Sequence, residues 1–568
     1  MKLRISLVSV SLLVALVSAE QTVLGSELPL THAHTTSADS SPSWTVFNKT
    51  IKRVAVIGAG PAGLQAAAEL KEHNFEVRLF ERAPGPGGNW RYSDDIPARE
   101  SYPDQPLGQK RWVPQEIPHV EYYTEDQNGV SLDERWREHW DPRPVWYNLH
   151  TNSPTSITDL PGVPFAPGTP WSPSQHDVGA HVRAYASLHG LNVDDDPAVV
   201  SYATRVERLT KSPDGTSWTL TLKRLQRLEE SNRLKATWWT EDFDAVVVAL
   251  GLSSDGVHVP DLPGIVEWSK VRAVDDPSRY SIYHSRAYRR PERYANKTVL
   301  VVGPSVSGSE ISRDISPYVE KLYVSTKVYD WNTLHPFQRR SFRRFPQNAE
   351  LIPEIKLFGP LETYDQGIKD GKIELINGTI ILATGYQKTN QFLAQVLNDT
   401  RKADGHRPLR HVHWTGNYIP DPTLAFTNCR PWSTVRYQVY GLAKIWEGTA
   451  RLPNEEELWR QYDSERWTNF WYFWGTHQSE ALLRQWVTWL NNESLKFGGR
   501  LVDQFPLERR EEFAYYMTLD VQEPYLTLEN FTSFEKIPAS EWGKDQLWEK
   551  GQLDDDLWDS SAMEYGLW

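Results

Sequence analysis

The chain has 568 residues, with 61 Lys and Arg against 74 Asp and Glu and a formal net charge of −13, which is room for roughly three or four domains of about 150 residues. With 39% apolar and 24% charged residues it is not a disordered chain, and its acidic balance excludes a nucleic-acid binder, which needs clustered positive charge to hold phosphates. The lone cysteine, Cys429, excludes an intrachain disulfide, a CxxC redox pair and a multi-cysteine metal site, and no metal site is expected.

The first predicted element is a targeting signal over residues 1–19. Lys2 and Arg4 precede an apolar run from Ile5 to Val17, and Val17-Ser18-Ala19 places small residues at the exit. The run is shorter than the roughly 20 residues that span a bilayer. A cleaved secretory signal is therefore expected, giving a secreted or lumenal protein without a stable membrane span; an uncleaved anchor is the alternative. N-glycosylation triplets at Asn48, Asn296, Asn377, Asn398, Asn492 and Asn530 are compatible with that route, although Asn296 and Asn377 stand directly before apolar runs. Residues 20–50, rich in Ser, Thr and His, read as a loose leader.

Arg53-Val-Ala-Val-Ile57 is a β-branched run of the kind that forms a buried parallel strand. It enters Gly58-Ala59-Gly60-Pro61-Ala62-Gly63, then an Ala-rich helical stretch, then a second strand, Glu76–Phe80, ending at Glu81. Gly58 permits the tight turn, Gly60 lets the backbone approach a pyrophosphate, and Gly63 lets helix and strand pack closely. The helix N-terminus, with Pro61 and Ala62 in its first turn, stabilises phosphate charge, and Glu81 accepts hydrogen bonds from a ribose diol. An acid there repels a 2′-phosphate, so this site suits FAD or NAD.

Residues 91–145, rich in Pro, Asp and Trp, read as a loop-heavy insertion. A helix is predicted over 178–190, and residues 199–209, 216–224 and 235–251 alternate like the strands of a β-meander leading to Ala249-Leu250-Gly251.

A second buried-strand run, Thr298–Val302, enters Gly303-Pro304-Ser305-Val306-Ser307-Gly308 and a further helix. Ser305 replaces the middle glycine. The next strand, Lys321–Ser325, runs out into Thr326 and Lys327, with no carboxylate; a hydroxyl and a cation at the ribose end suit the 2′-phosphate of NADPH. Lys327 as a plain surface lysine is the alternative, and the arginines at 339, 340, 343 and 344 read as solvated surface. Two nucleotides of this kind describe a flavin reduced by NADPH. Without paired cysteines its electrons cannot pass to a disulfide, and a simple oxidase has no need of the second nucleotide. Dioxygen remains as acceptor.

Trp459, Trp467, Trp471, Trp474, Trp486 and Trp489 fall near helical spacing and read as the core of a helical cap. Cys429 reads as an inert buried thiol, and the acidic end of the chain carries no recognisable chemistry.

From residue 53 to about 452 the chain resembles the flavin-containing monooxygenase family, within the group that includes Baeyer–Villiger monooxygenases. Gly87-Gly88-Asn89-Trp90 resembles the family's GGxW flavin loop, and Trp146–Pro154 the segment with its active-site asparagine, here Asn152, preceded by Thr151. Ala249-Leu250-Gly251 and Ala383-Thr384-Gly385 resemble the two strand ends where the chain leaves and re-enters the flavin domain; Pro422–Phe426 and Arg436–Val439 resemble the return segment. The linker motif survives only in its second half, as His284-Ser-Arg-Ala-Tyr288-Arg289. Ser278 and Tyr280 replace its Phe and Gly, so a reshaped linker is expected, and His284 is open to a structural reading.

The resemblance implies an α/β fold of two Rossmann-type domains. These are a flavin domain over 51–261 (insertion 91–145) and 386–500 (helical cap), an NADPH domain over 262–385 inserted into it, and an acidic extension over 501–568. It implies an enzyme that uses FAD, NADPH and dioxygen to insert one oxygen atom into a small organic substrate through a flavin hydroperoxide. Flavin contacts would come from Gly58, Gly60, Pro61, Ala62, Gly63, Glu81, Gly88, Trp90 and Thr151, and NADPH contacts from Gly303, Ser305, Ser307, Gly308, Thr326 and Lys327, with Asn152 catalytic. Tyr288-Arg289 favours N- or S-oxidation. The alternatives are Baeyer–Villiger oxidation of ketones, an NADPH oxidase making hydrogen peroxide, and a non-catalytic nucleotide-binding flavoprotein.

Overall fold

The computed structural model describes residues 43–97, 102–103, 112–251, 256–272, 280–327, 342, 344–359, 378–387, 391–393, 410–427, 432–463, 477–506 and 509. The targeting signal, most of the leader, Cys429, Ser278, the residues 339, 340 and 343, Asn377, Asn398, Trp467, Trp471, Trp474 and nearly all of the acidic extension with Asn530 lie outside them.

Two five-stranded parallel sheets organise the chain. The first has the order Leu424–Phe426, Ala245–Val248, Arg53–Ile57, Glu76–Phe80, Val200–Ser201. The second has the order Ile282–His284, Thr379–Leu382, Thr298–Val302, Lys321–Ser325, Ala349–Ile352. One edge strand of the first sheet, Leu424–Phe426, is supplied only after the whole second sheet has been made. The continuous β-branched runs follow from burial on both faces. Val54 and Val56 join one core cluster while Ala55 and Ile57 join the other; Val299 and Val301 are likewise divided from Leu300.

The two sheets carry the same local device. Gly58 N–H donates to Phe80 O (2.8 Å) and Ala249 N–H to Ile57 O (2.9 Å); in the second sheet Gly303 N–H donates to Ser325 O (3.0 Å) and Ala383 N–H to Val302 O (2.8 Å). This register pairs Gly58 with Gly303, Glu81 with Thr326 and Arg82 with Lys327.

An antiparallel sheet of the order His119–Tyr123, Arg233–Phe243, Trp218–Leu228, Thr204–Lys211 stands beside them. The meander is thus present, but its last segment is two strands: Asp244, which accepts from the Lys52 and Arg53 amides, separates the antiparallel strand from Ala245–Val248. The 91–145 insertion is also more ordered than its composition implies. It supplies His119–Tyr123 and the helix Leu132–Trp140, capped by Ser131. The helix expected over 178–190 runs over Gln175–Leu188, because Ser174 and Asp177 form a reciprocal capping box three residues earlier.

Trp432–Glu447, Glu455–Asp463 and His477–Phe497 form the helical region. Trp486, fully buried, fits because residue 441 is glycine: a Cβ there would lie 2.1 Å from the indole. Among the described residues no helix is long and apolar enough to cross a membrane.

Candidate active site

The first cradle is built by three close approaches. Gly58 has φ +106°, and a Cβ on it would lie 2.7 Å from Ala249 O; a Cβ on Gly63 would lie 1.8 Å from Gly58 O. Gly60 caps the helix Pro61–Glu72, with Pro61 at its first position, Ala62 half-buried and Gly63 buried. The Gly87–Trp90 turn then lies against it, since Gly87 N–H donates to Ala59 O (3.0 Å). A Cβ on Gly88, at φ +54°, would come within 2.6 Å of Gly60 Cα. Only bare backbone fits between these two loops, the condition a pyrophosphate needs. Trp90 packs edge-on to Trp432, 5.6 Å between centroids, so the return helix closes over the flavin loop.

Glu81 is buried, and its carboxylate is aimed by the backbone: Oε2 accepts from Ala59 N–H (2.8 Å) and Oε1 from Ala83 N–H (2.8 Å), with Arg143 Nη2 at 3.5 Å. Each oxygen keeps a lone pair for a ribose hydroxyl. A cleft lined by Gly58, Glu81, Arg82, Arg143, Thr204 and Arg205 adjoins it. Sequence reading missed these arginines. Arg143 lies 62 positions from Glu81 on an insertion that resembled a loop, and no local spacing announces it. Arg82 and Arg286 both reach Asp141, which they hold, despite its burial, down to about 2.

The second cradle repeats the first. Gly303 has φ +107°, with a Cβ placed 2.5 Å from Ala383 O, and Gly308 would meet Gly303 O at 1.9 Å. Ser305 takes the place of Gly60 at the cap of the helix Val306–Ile315; it is exposed, its side chain makes no capping bond, and Ser307 in the first turn is half-buried. Thr326 is half-buried and Lys327 exposed at the strand end. The Lys327 charge also reaches Glu354, whose carboxyl is held below its usual range first by its bond to Lys356. Arg344, expected to be solvated, is instead mostly covered and pairs with Glu310 at 2.5 Å.

Thr151 is buried, its N–H donating to Pro173 O (3.0 Å) and its hydroxyl to Ser153 O (2.6 Å). Asn152, next to it, is exposed, leaving its amide available. His284 resolves as structural: it is fully buried, its Nε2–H donates to Gly385 O (3.0 Å), and its Nδ1 accepts from Arg286 N–H (3.1 Å). Burial pushes it down to about 3, so it is neutral. It ties the strand entering the second sheet to the turn leaving it. Where the motif's glycine is missing, Tyr280 forms an antiparallel bridge with Arg272.

Two dinucleotide cradles of matched geometry, one with an acid and one with a cation at the ribose end, define a two-nucleotide flavoprotein. Comparison with known proteins places it further. Residues 56–104 match the family model described as NAD(P)-binding Rossmann-like domain, and residues 178–348 match flavin-binding monooxygenase-like. The chain is 35% identical over 497 residues to the flavin-containing monooxygenase iboF of Amanita muscaria, covering 80% of this chain and 90% of that one. It is 29% identical over 454 residues to ustF2 of Aspergillus flavus, covering 74% and 87%. The solved S-allyl-L-cysteine S-oxygenase of Allium sativum superposes with a TM-score of 0.54 at 20% identity, covering 87% of this chain and 96% of that one. The chain belongs to the flavin-containing monooxygenase family, and is an FAD- and NADPH-dependent monooxygenase.

Proposed function

We propose that this enzyme oxygenates a soft nitrogen or sulfur of a small organic molecule, and that it works in the secretory lumen or outside the cell. When bound, FAD would accept hydride from NADPH and supply the reduced ring that activates dioxygen. The chain's residues do the rest. The Gly58–Gly63 and Gly87–Trp90 loops hold the pyrophosphate on bare backbone, and Glu81 orients the ribose. Gly303–Gly308 with Thr326 and Lys327 hold NADPH. The Asn152 amide donates a hydrogen bond at the reacting face, where exclusion of water decides between oxygen transfer and loss as peroxide.

The observation that carries the heteroatom preference is the linker. Tyr288 and Arg289, whose presence favours N- or S-oxidation by resemblance, are both fully buried, with Tyr288 hydroxyl bonded to Asp314 (2.6 Å). The secretory reading is supported by the leader sequence and by exposed acceptors at Asn48, Asn492 and Asn296, the last in a turn at φ +58°. Incubation with NADPH, ¹⁸O₂ and panels of thioethers, amines and ketones tests the chemistry. Labelled sulfoxides or N-oxides are expected; labelled esters from ketones alone would establish the Baeyer–Villiger alternative, and peroxide without labelled product the oxidase. Replacing Asn152 by Ala is expected to raise peroxide per NADPH severalfold with flavin content unchanged.

A further inference from the structure

We infer that Asp314 is a positioning residue that fastens the Asn152-bearing segment to the NADPH-side sheet, so that the amide stands at the reacting face only while the two sheets are docked. The inference rests on the reading of Asn152 given above. It comes from how the segment Trp146–Pro154 is held between two bodies, its first half fastened to the NADPH side, although Tyr147 also meets Gln175 Nε2 (3.4 Å) and the His176 ring, and its second half to the flavin side.

At the first end, Trp146 is buried in the second sheet's core among Tyr288, Ile311 and Ile315, its ring edge-on to Tyr288 at 5.8 Å, and Leu149 packs against the same cluster. Tyr147 N–H donates to Arg289 O of the linker (2.9 Å). Asn148 Nδ2–H donates to Asp314 Oδ1 (2.8 Å), and Tyr288 O–H donates to Asp314 Oδ2 (2.6 Å). One carboxylate is therefore shared between the linker and the segment. Asp314 lies in the last turn of Val306–Ile315, the helix whose first turn carries Ser307 and Gly308.

At the other end the partners change. Gln175 N–H donates to Leu149 O (2.7 Å), Thr151 N–H to Pro173 O (3.0 Å) and Thr155 N–H to Trp171 O (3.0 Å). These acceptors and donors lie on the turn entering the helix Gln175–Leu188, whose Val178, Val182 and Tyr185 belong to the first sheet's core. Only Leu149 and His150 separate the Asp314 anchor from Thr151, and an extended residue spans at most about 3.5 Å. Asn152, held between the Thr151 and Thr155 bonds to that turn, is thus tethered to the NADPH-side helix across only Leu149, His150 and Thr151.

The test uses the full-length, FAD-loaded enzyme with Asp314→Ala and Asp314→Asn, alongside Asn148→Ala, the Asn148→Ala/Asp314→Ala double variant and Asn152→Ala. Amide hydrogen exchange over 146–154, measured without NADPH, is expected to quicken about tenfold in Asp314→Ala, the size of losing a hydrogen bond to a charged group. Peroxide formed per NADPH should rise severalfold while KM for NADPH stays within about twofold, because the Gly303–Gly308 loop is untouched. Asp314→Asn keeps an acceptor for Asn148 and a group that bonds the Tyr288 oxygen, so it should restore most of both readouts. The double variant should be no worse than Asp314→Ala, as for residues acting through one contact. Unchanged exchange over 146–154, or an Asp314→Asn variant as impaired as Asp314→Ala, would overturn the inference. If instead Asn152→Ala leaves peroxide formation unaltered, the role of Asn152 fails, while the exchange result still judges the anchor.

Discussion

The two cradles differ at a few side chains on one backbone, and the proposed assignment of FAD to one and NADPH to the other rests on those differences. Ala59 N–H donates to Glu81; its counterpart, Pro304, has no N–H to give, and the counterpart of Glu81 is Thr326. The carboxylate that repels a 2′-phosphate is thus removed together with the amide that would orient it. On the proposed assignment Lys327, in register with Arg82, supplies the cation. Replacing Lys327 by Ala should raise KM for NADPH about tenfold, the value of one charge-assisted hydrogen bond, and leave KM for NADH within about twofold. Steady-state kinetics with both nucleotides check this, and equal losses would show that Lys327 does not read the phosphate. The glycines were legible in the sequence because steric exclusion leaves no other residue at φ near +106° with a carbonyl 2.7 Å from the missing Cβ. Arg143, Asn148 and Asp314 were not legible, because their partners are set by tertiary packing between distant segments.

At the scale of elements, the ends of two helices are joined through one histidine. His73 follows the helix Pro61–Glu72; its Nε2 meets Glu69 at 3.0 Å and its Nδ1 meets Glu447, at the end of Trp432–Glu447, at 2.5 Å. Burial alone would lower its pKa, but the bonds to Glu447 and Glu69 outweigh that and raise it to about 9. A folded-state value above the unfolded value near 6.5 means the folded protein holds the proton more tightly. The contribution is full below about pH 6.5 and is lost as pH rises toward 9. His73→Gln should therefore lower the thermal midpoint at pH 6 and have almost no effect at pH 9.5, as scanning calorimetry would show; a difference independent of pH would assign His73 to packing alone. Strands were read from the sequence where a continuous β-branched run marked them, as in Arg53–Ile57 and Thr298–Val302. They were missed where a tertiary partner overrode composition, as for His119–Tyr123, which becomes a strand by pairing with Arg233–Phe243.

Over the whole molecule, three buried histidines act in the opposite sense to His73. His181 accepts Leu160 N–H (2.9 Å) under the ring of Phe165, His284 ties the linker to Gly385, and His413 bonds Gln461 and Thr415 beneath the return strand. Burial lowers them to about 4, 3 and 3. The unfolded chain binds protons at each near pH 6.5 while the folded chain does not, so stability rises with pH across this window and falls on acidification. Between about pH 4.5 and 6 each histidine should contribute a slope of about 1.4 kcal/mol per pH unit. These three sites lie on the first sheet's flank, the linker and the return segment, so acid loosens both cradles together and flavin should leave as the fold opens. Urea unfolding from pH 7 to 4.5, followed by flavin fluorescence and by tryptophan fluorescence, should give coincident midpoints that fall below pH 6, with net proton uptake on unfolding near pH 5. The Asp141 carboxyl, held down to about 2 by its arginines, titrates below this window, whereas burial raises Asp159 and Asp314, which oppose the histidines in part. A midpoint flat from pH 6.5 to 4.5 would mean that these rings are protonated, or reach water, in the folded enzyme.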